Sequence, residues 1–550
     1  MALQKVLFIA DGYGLPPYTF DRSSSAYEIN SEGVLALRSS GQLRIDYLDL
    51  DNDGVREQPS LVLERASTNK LLHSIEFGST VWVSTGLTVY SNVLAAPDLS
   101  TQADLLVPST ATSFHYVEQA STGLASSTDH AVTVYAIPAG YHYLTVEMRT
   151  TDPVSYVAAQ FELSSSGAVV QSSGAGGAAA LRESHIDRLR PGVYRCMLDG
   201  TVNASSDIGV RFLIEQSSSQ FRTAWAGSGT SGQLGVALWG AQLEEAVGSE
   251  TSFMLSSAAA ATRAAEQLAI AFPYRPQAMT IYVRFEELSV PVFTAAVGVS
   301  SRILQLGNAT NNSPRLYLVK ISGNDSYQVG HNALGGTYND VSSAIDLSPT
   351  WGDVIELRAV LRADGSVVLG GCKNSGSETV DASPGEDHGL ALEWTDELLW
   401  LGSLGALGAD RIQILDVKVC ADEQTMEYMR SVAPFFVIDG VAVPIAVDSV
   451  RETPDEMGDR GRTFDGTMRE TVRNRPSKWE AETAPLSVGD RNRVRQALQS
   501  STQPVTVYGQ MVRTSTGLIP TVFTRLLGET IVQSSTERKY SLRLAAEQSS

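Results

Sequence analysis

Short stretches of alternating apolar and polar residues, separated by Gly, Ser, Asn, Asp and Pro, are the feature that most constrains this chain. Stretches of this length and pattern are typical of strands in antiparallel β-sandwiches. Helical periodicity is scarce, so the sequence predicts a mainly β protein. The clearest predicted strands are 131–137, 143–150, 156–163, 279–288, 315–321, 354–361 and 366–371.

Two segments show helical spacing. Residues 421–432 place Met426 and Met429 on one apolar side, and 487–500 begins with a pattern that resembles a capping box. Each predicts a single helix packed beside a sandwich.

Two stretches of small residues predict breaks between strands. The Ser-, Gly- and Ala-rich segment 164–181 is expected to contain a long hairpin loop, and 256–267 predicts a short helix or a linker at a domain boundary.

Charge and length narrow the function classes. The chain has 550 residues, which suggests three or four domains, and a net charge of −20. Residues 433–550 hold 15 basic and 14 acidic side chains, whereas residues 1–432 hold 26 against 47. An acidic body repels phosphate backbones, so no nucleic-acid partner is expected. No run of eighteen apolar residues occurs, so no membrane insertion is expected.

The three cysteines, Cys196, Cys372 and Cys420, have spacings that fit no metal or redox motif. Buried free thiols are the expectation, and a Cys372–Cys420 disulfide is the alternative.

Three longer stretches carry a family resemblance. They are YTFDRSSSAYEINSEGVL at 18–35, LVLERASTNKLLHSIEFGSTVW at 61–82 and VALWGAQLEEAVGSETSFM at 236–254. They resemble signatures of a family of tailed-phage virion proteins. The resemblance implies a jelly-roll module similar to carbohydrate-binding modules, which is common in tail fibres, tail tips and head appendages. The matching residues of the second stretch are Leu63, Glu64, Thr68, Asn69, Leu71, Leu72, Ser74, Phe77 and Trp82.

The layout of residues 268–432 is similar to a laminin-G-like or concanavalin-like sandwich, and 433–550 resembles a small phage tail-associated domain. The predicted fold class is therefore tandem antiparallel β-sandwiches (jelly roll, then concanavalin-like) plus a C-terminal β-sandwich with one helix. The predicted domains are 1–68, an N-terminal β-hairpin or adaptor segment; 69–262, the jelly roll; 263–432, the laminin-G-like domain; and 433–550, the tail-associated β domain.

One acidic string invites a metal hypothesis. Asp49, Asp51 and Asp53 alternate before a glycine, as at the start of a calcium loop. A complete loop needs a bidentate Glu at its twelfth position, which here is Ser60. A solvated hairpin turn is therefore the expectation, with a bound calcium as the alternative and no other cofactor predicted.

Sugar sites on sandwiches combine an aromatic platform with polar groups that bind hydroxyls. Each candidate is weighed against an ordinary place in the core or on the surface. The candidates are Trp82, Tyr116, Tyr141 and Trp225 in the first sandwich, and Tyr327, His331, Tyr338 and Asp340 in the second.

Catalytic signatures are weak. The acidic string with Glu393, Asp396 and Glu397 lacks the spacing of a glycosidase pair, and no nucleophile or phosphate-loop motif occurs. A non-enzymatic protein is therefore expected.

Taken with the resemblance, the expected function is a structural component of a tailed-phage virion, at a tail tip or fibre, that attaches to host-surface glycans. Expected partners are other virion proteins and further copies of the chain in a homo-oligomer. The expected location is the virion, assembled in the host cytoplasm. The alternative is a purely architectural decoration or cement protein that binds no sugar.

Overall fold

The structure of the chain is a computed structural model. It describes residues 7–10, 18–50, 55–56, 58–124, 129–150, 155–165, 167–176, 179–202, 207–229, 234–245, 250–271, 278–288, 301–307, 315–321, 326–332, 341–362, 364–381, 398–401, 411–421, 423, 425–438, 441–446, 451–453, 458–462, 468–472, 478–482, 505–508, 513–514, 517–518, 521–533 and 540–548.

Strands are by far the commonest regular element among the described residues, in agreement with the predicted fold class. The strands before the first sandwich are β1 (Leu7–Ala10), β2 (Tyr18–Asp21), β3 (Ala26–Ile29), β4 (Leu35–Arg38), β5 (Arg44–Leu48), β6 (Gln58–Leu63) and β7 (Ser67–Asn69). Those of the first sandwich are β8 (Val83–Thr85), β9 (Leu87–Leu94), β10 (Ala103–Pro108), β11 (Thr112–Ser113), β12 (Tyr116–Ser121), β13 (Asp129–Ala139), β14 (Tyr143–Thr150), β15 (Tyr156–Glu162), β16 (Ala168–Ala175), β17 (Ala180–Arg190), β18 (Val193–Thr201), β19 (Ile208–Glu215), β20 (Trp225–Ala226) and β21 (Gly235–Glu245).

The second sandwich and the C-terminal part come next along the chain. Their elements are β22 (Ala261–Arg263), β23 (Gln267–Ala271), β24 (Met279–Glu286), β25 (Ser301–Gly307), β26 (Arg315–Lys320), β27 (Ser326–Asn332), β28 (Val341–Asp346), β29 (Val354–Leu361), β30 (Val367–Lys373), β31 (Thr379–Val380), β32 (Leu398–Leu401), β33 (Ile412–Ala421), α1 (Met426–Ser431), β34 (Val432–Ile438), β35 (Val441–Ala446), β36 (Arg451–Thr453), β37 (Gly458–Arg462), β38 (Met468–Val472), β39 (Lys478–Glu482), β40 (Val505–Tyr508), β41 (Arg513–Thr514), β42 (Gly517–Leu518), β43 (Thr521–Gln533) and β44 (Tyr540–Gln548).

The first sandwich packs two six-stranded antiparallel sheets face to face. Their strand orders are β17-β18-β13-β21-β10-β9 and β16-β15-β14-β19-β12-β8. Side chains that alternate inward from both sheets, such as Val134 and Phe212, form one apolar core. The outer face of the second sheet is therefore left to polar residues.

The second sandwich takes strands from both ends of its sequence. Its sheets run β31-β30-β29-β24-β33-β6-β5, with β1 also paired to β33, and β2-β23-β32-β25-β26-β27-β28. Leu61 and Leu63 of β6 lie in the same core as Ile414 and Val283. The 1–68 segment thus supplies strands to this sandwich, and the first sandwich is inserted between them. The predicted four-part division stays a prediction.

A buried ion-pair network lies where the N-terminal strands and the two sandwiches meet. Arg44 Nη2 is 2.5 Å from Glu266 Oε2 and 2.7 Å from Glu64 Oε2, and all three side chains are fully buried. Burial alone would raise the pKa of Glu64, but Arg263 and Arg44 hold it well below its usual range. We call the following residues the junction network: Arg22, Arg44, Asp46, Glu64, Glu250, Arg263, Glu266 and Arg411.

Among the C-terminal strands, seven form one sheet in the order β35-β34-β40-β43-β44-β39-β36. The predicted helix at 487–500 lies outside the described residues. The other predicted helix is found as α1, and its Met426 and Met429 are buried as the pattern indicated.

Two sequence predictions about breaks need correction. Most of 164–181 is strand rather than loop, because β16 pairs with β15 along seven residues from Ala168 to Ala175. The helix alternative for 256–267 is also wrong. There β22 pairs with β7, and the Arg263 guanidinium bonds to Glu64. In both cases, backbone pairing and tertiary contacts outweigh the local preference of small residues.

Cys196 and Cys372 are buried free thiols, so the Cys372–Cys420 disulfide is wrong. Among the described residues, no helix has the length and apolarity needed to cross a membrane.

Candidate functional site

The outer face of the six-stranded sheet that contains β12, β14, β15 and β19 carries tyrosine, arginine and glutamate side chains. Val117 and Phe212 point into the core, so their strand neighbours point outward. The strand register places Arg211 directly between Glu118 and Glu147. We call this set, together with Arg222 from the loop that follows β19, the tyrosine–arginine face: Tyr116, Glu118, Glu147, Arg149, Tyr156, Arg211 and Arg222.

The first half of the face is centred on Tyr116, which is half-buried. The guanidinium carbon of Arg211 lies 4.3 Å from the centre of the Tyr116 ring, a cation–π distance. Arg211 Nη2 also donates a hydrogen bond of 2.9 Å to Glu118 Oε2. The arginine is thus held by both neighbours, with its side chain 18% exposed.

The second half is centred on Tyr156, also half-buried. Arg222 places its guanidinium carbon 3.4 Å from the Tyr156 ring centre and donates from Nε to Glu147. The backbone of Arg222 has φ of 54°, a left-handed conformation that is uncommon outside glycine. Such strain of about 1–3 kcal/mol persists where surrounding contacts hold the residue, often at functional sites.

One buried carboxylate ties the two halves together. Glu147 is 1% exposed, and Arg149 and Arg211 lie 3.6 and 3.8 Å from it, in addition to Arg222. Counting Glu118, the face has three cations and two anions on a protein whose net charge is −20. Its guanidinium N–H groups and carboxylate oxygens can bind the hydroxyl or carboxylate groups of a ligand.

The loop after β19 closes one end of the face. Gln171 Nε2 donates to the Ser218 carbonyl at 2.8 Å, and Arg222 N donates to Glu215 Oε1 at 2.8 Å. Burial raises the pKa of Glu215 to about 7. Because the loop covers this end, a ligand would contact the half-exposed Tyr116 and Tyr156 beside it.

The face is wide enough for an extended ligand. Tyr116 lies on β12 and Tyr156 on β15, three strands apart in the sheet. At about 4.8 Å per step, the separation across the sheet is roughly 14 Å. Two aromatic platforms at this spacing suit an oligosaccharide better than a single ring.

Of the sequence candidates in the first sandwich, Tyr116 lies on this face, whereas Trp82 and Trp225 are core residues. Both indoles are 4% exposed and donate their N–H to main-chain carbonyls. Trp82 packs on Phe77 with ring centres 4.9 Å apart. A sugar cannot reach a ring covered on both faces, so these two tryptophans are not ligand contacts in this structure. Half-buried Tyr141 packs edge-on against Trp225, at 5.1 Å.

The candidates in the second sandwich do not form a site in the described residues. Tyr327 is fully buried and donates its hydroxyl to Glu287 Oε2 at 2.6 Å, so it is a core residue rather than a stacking platform. His331 lies in β27, but its side chain, like the whole of Tyr338 and Asp340, is outside the described part of the chain.

The calcium hypothesis stays a prediction, because two of its three carboxylates lie outside the described residues. Asp49 is half-buried after β5, and Asp51 and Asp53 lie outside the described residues. Among the residues that are described, no group of three or more His, Cys, Asp or Glu side chains is arranged to hold a metal.

Sequence reasoning missed most of this face. Strand alternation places Tyr116 and Glu118 on one side of β12, which is a usable signal. It does not give the register that brings Arg211 between Glu118 and Glu147, and it does not predict the left-handed Arg222. The missing information is the pairing of residues that lie 93 positions apart in the chain.

No protein-family model and no curated protein matches the sequence. Domains LG4-5 of the mouse laminin alpha1 chain are 11% identical over 54% of this chain and 85% of theirs, with a TM-score of 0.21. The botulinum neurotoxin serotype G binding domain is 6% identical over 50% and 81%, with a TM-score of 0.23. A further structure described as a receptor binding domain is 9% identical over 52% and 82%, also with a TM-score of 0.23. TM-scores this low are not those of a shared overall fold, so the functional argument rests on the residues of this chain.

Proposed function

We propose that the protein is a non-enzymatic structural component of a tailed-phage virion, at a tail tip or fibre, that attaches to host-surface glycans through the tyrosine–arginine face. The virion half of the proposal is supported by the sequence signatures at 18–35, 61–82 and 236–254, which resemble one family of such proteins. The attachment half is supported by the geometry of the face.

The main support for glycan attachment is that Tyr116 and Tyr156 flank one connected set of charged side chains. Tyr116 and Tyr156 each lie against a guanidinium, and both guanidiniums reach Glu147. Because the protein itself holds these groups in place, little conformational entropy is lost when a ligand binds. Sugar rings stack on tyrosines, and their hydroxyls bond to arginine and carboxylate groups.

Binding by one such face is expected to be weak, because the tyrosines are only half-exposed. Several copies in a homo-oligomer would raise the overall affinity, since each later contact becomes intramolecular. Other virion proteins would anchor the assembly.

The architectural alternative has an observation of its own. Trp82, Trp225 and Tyr327, which the sequence offered as sugar platforms, are 4%, 4% and 0% exposed. If the tyrosine–arginine face is also silent, the sandwiches act as spacers or cement between neighbouring subunits.

A glycan array separates the two functions. The full chain, displayed multivalently, is compared with the Tyr116→Ala/Tyr156→Ala double variant and with Arg211→Gln. Phe114→Ala removes a 43% exposed aromatic outside the face and is the matched control. We expect binding to a subset of bacterial surface glycans that both face variants reduce at least about tenfold and the control leaves unchanged. Silence of the wild type on the array and on whole cells, or equal binding by all variants, would support the architectural alternative.

A further inference from the structure

A cavity of about 470 Å³ lies between the two sandwiches, away from the tyrosine–arginine face. One wall comes from β17 and β18 of the first sandwich. The other comes from β24 and β33 of the second, with the 351–353 loop and the end of β5 at the sides. This volume is within the range of about 300–1,000 Å³ that small-molecule sites occupy.

Gln413, one of the residues that line the cavity, has a buried amide oxygen without a partner among the described residues. Gln413 is 1% exposed, and its Nε2 donates to Asp46 Oδ2 at 3.0 Å. Within the part of the chain that the structure describes, its Oε1 accepts no hydrogen bond. A buried acceptor left unpaired costs about 1–3 kcal/mol, so a donor supplied by a ligand would be favourable here.

Glu286 stands beside this acceptor. It is directly opposite Gln413 in the β24–β33 register, and opposed residues project from the same face of a sheet. Burial, together with Asp187 and Asp46, raises the pKa of Glu286 to about 8, against the lowering effect of Arg411 and Arg56. A carboxyl group that keeps its proton at neutral pH is a donor. The pair therefore offers one donor and one acceptor, both uncharged.

The side wall is a stacked pair of rings. His185 and Trp351 have ring centres 3.4 Å apart and an angle of 29° between their planes. Burial lowers the pKa of His185 to about 4, so the imidazole is neutral at physiological pH. The wall is thus a flat, uncharged aromatic surface of the kind on which sugar rings stack.

Arg56, one of the charged side chains that line the cavity, is bonded to protein partners. Arg56 donates to the carbonyls of Tyr47, Leu189 and Arg188 and to Asp187, at 2.5–3.0 Å. Four arginines and four acids line the cavity, and because Glu286 keeps its proton at pH 7 the lining carries one net positive charge. The lining arginines are Arg56, Arg188, Arg195 and Arg411, and the acids are Asp49, Asp187, Glu286 and Asp353.

We infer that this junction cavity binds a neutral sugar of one or two rings, which stacks on Trp351 and hydrogen-bonds to Glu286 and Gln413. The site is independent of the tyrosine–arginine face, and either one can bind without the other. Ligand held in the cavity would also strengthen the contact between the sandwiches, because it fills space that residues of both line.

Saturation-transfer NMR on the full chain tests the inference with maltose, N-acetylglucosamine and galactose as probes, each at millimolar concentration. Gln413→Met removes the unpaired acceptor at similar volume, together with the hydrogen bond that Nε2 donates to Asp46. Val169→Trp fills the cavity from β16, at a side chain that is 37% exposed and lines the cavity. Phe114→Ala, at a 43% exposed side chain that lines neither site, is the control, and Arg211→Gln tests whether the signal comes from the tyrosine–arginine face.

We expect transfer to at least one probe in the wild type and in Phe114→Ala, transfer that Arg211→Gln does not abolish, and a loss of at least about tenfold in apparent affinity in the two cavity variants. No transfer to any probe overturns the inference, as does transfer that Val169→Trp leaves intact. Transfer lost only in Arg211→Gln assigns the sugar to the face and also overturns it, while leaving the proposed function standing.

Discussion

At the scale of single residues, Glu64 and Asn69 of the 61–82 signature connect distant parts of the chain through buried hydrogen bonds. Glu64 accepts from Arg44 and from the Ser252 main chain, and Asn69 bonds to the main chain of Ala241 and Met254. The sequence could mark these residues as special through the family resemblance. It could not give their roles, because the partners lie between 20 and 188 positions away.

Arg44→Met tests how much the junction network contributes to the stability of the protein. The change leaves Glu64 and Glu266 buried with fewer cations, and breaking a buried pair in this way costs about 3–5 kcal/mol. We expect the free energy of unfolding in the first urea transition to fall by about this amount. Arg362→Met is the control, because the Arg362–Glu423 pair is 38% and 51% exposed and is worth less than about 1 kcal/mol. Equal shifts in the two variants would contradict a stabilising role for the network.

Glu215 gives a pH dependence with a definite sign. Its folded pKa is about 7, whereas in the unfolded chain it ionises near 4.5. The unfolded chain therefore loses this proton first, and the contribution of Glu215 to stability falls as pH rises from 4.5 to 7.

Glu215→Gln removes that dependence. We expect the variant to gain about 1–3 kcal/mol relative to wild type at about pH 8 and little at about pH 4.5, in unfolding experiments at both values. Glu118→Gln, at a 23% exposed carboxylate, is the control. A gain that is the same at both pH values would contradict the assigned pKa.

At the scale of elements, the alternation of apolar and polar residues predicted where strands lie but not how they pair. Residues 143–150 and 354–361 are the predicted strands β14 and β29 to the residue. The prediction of a long loop within 164–181 was wrong because strands pair through their backbones. β16 can therefore form from small residues that show little β pattern. The tyrosine–arginine face likewise depends on register, which alternation alone leaves open.

The hairpin between β3 and β4 depends on Gly33 for its contact with β17. Gly33 has φ of 69°, and a Cβ there would come within 1.9 Å of the Leu189 carbonyl oxygen. We expect Gly33→Ala to lower the thermal midpoint by several degrees, through both backbone strain and the clash.

Gly41→Ala separates the two causes. Gly41 has a similar φ of 73°, but a Cβ there would meet nothing within 4 Å. We expect a smaller shift from backbone strain alone. If both variants lose the same stability in differential scanning calorimetry, the close approach of the hairpin to β17 is not important.

At the scale of the whole molecule, the N-terminal strands bind the two sandwiches into one unit. β6 pairs with β33 and β2 with β23, while the junction network joins both sandwiches through the same segment. The sequence suggested a separate adaptor at 1–68, and nothing in the alternation of short strands could reveal which sheet they join.

A truncation series checks this arrangement. The 263–432 fragment lacks β2, β5 and β6, so β33 would present an unpaired edge and the core would lose Leu61 and Leu63. We expect it to show no cooperative unfolding, whereas 18–432 unfolds cooperatively with near-ultraviolet circular dichroism like that of the full chain. A cooperative 263–432 fragment with the same midpoint would contradict the shared architecture.

Labelling on the particle tests the central claim most directly. Gold-conjugated antibody against the chain would be applied to concentrated tailed-phage particles from the source of the sequence and viewed by negative-stain electron microscopy. We expect gold at the tail tip or fibres, and fewer particles attached to host cells when the antibody is present. Particles that carry no gold, or gold on the head with attachment unchanged, would contradict the proposed role in attachment.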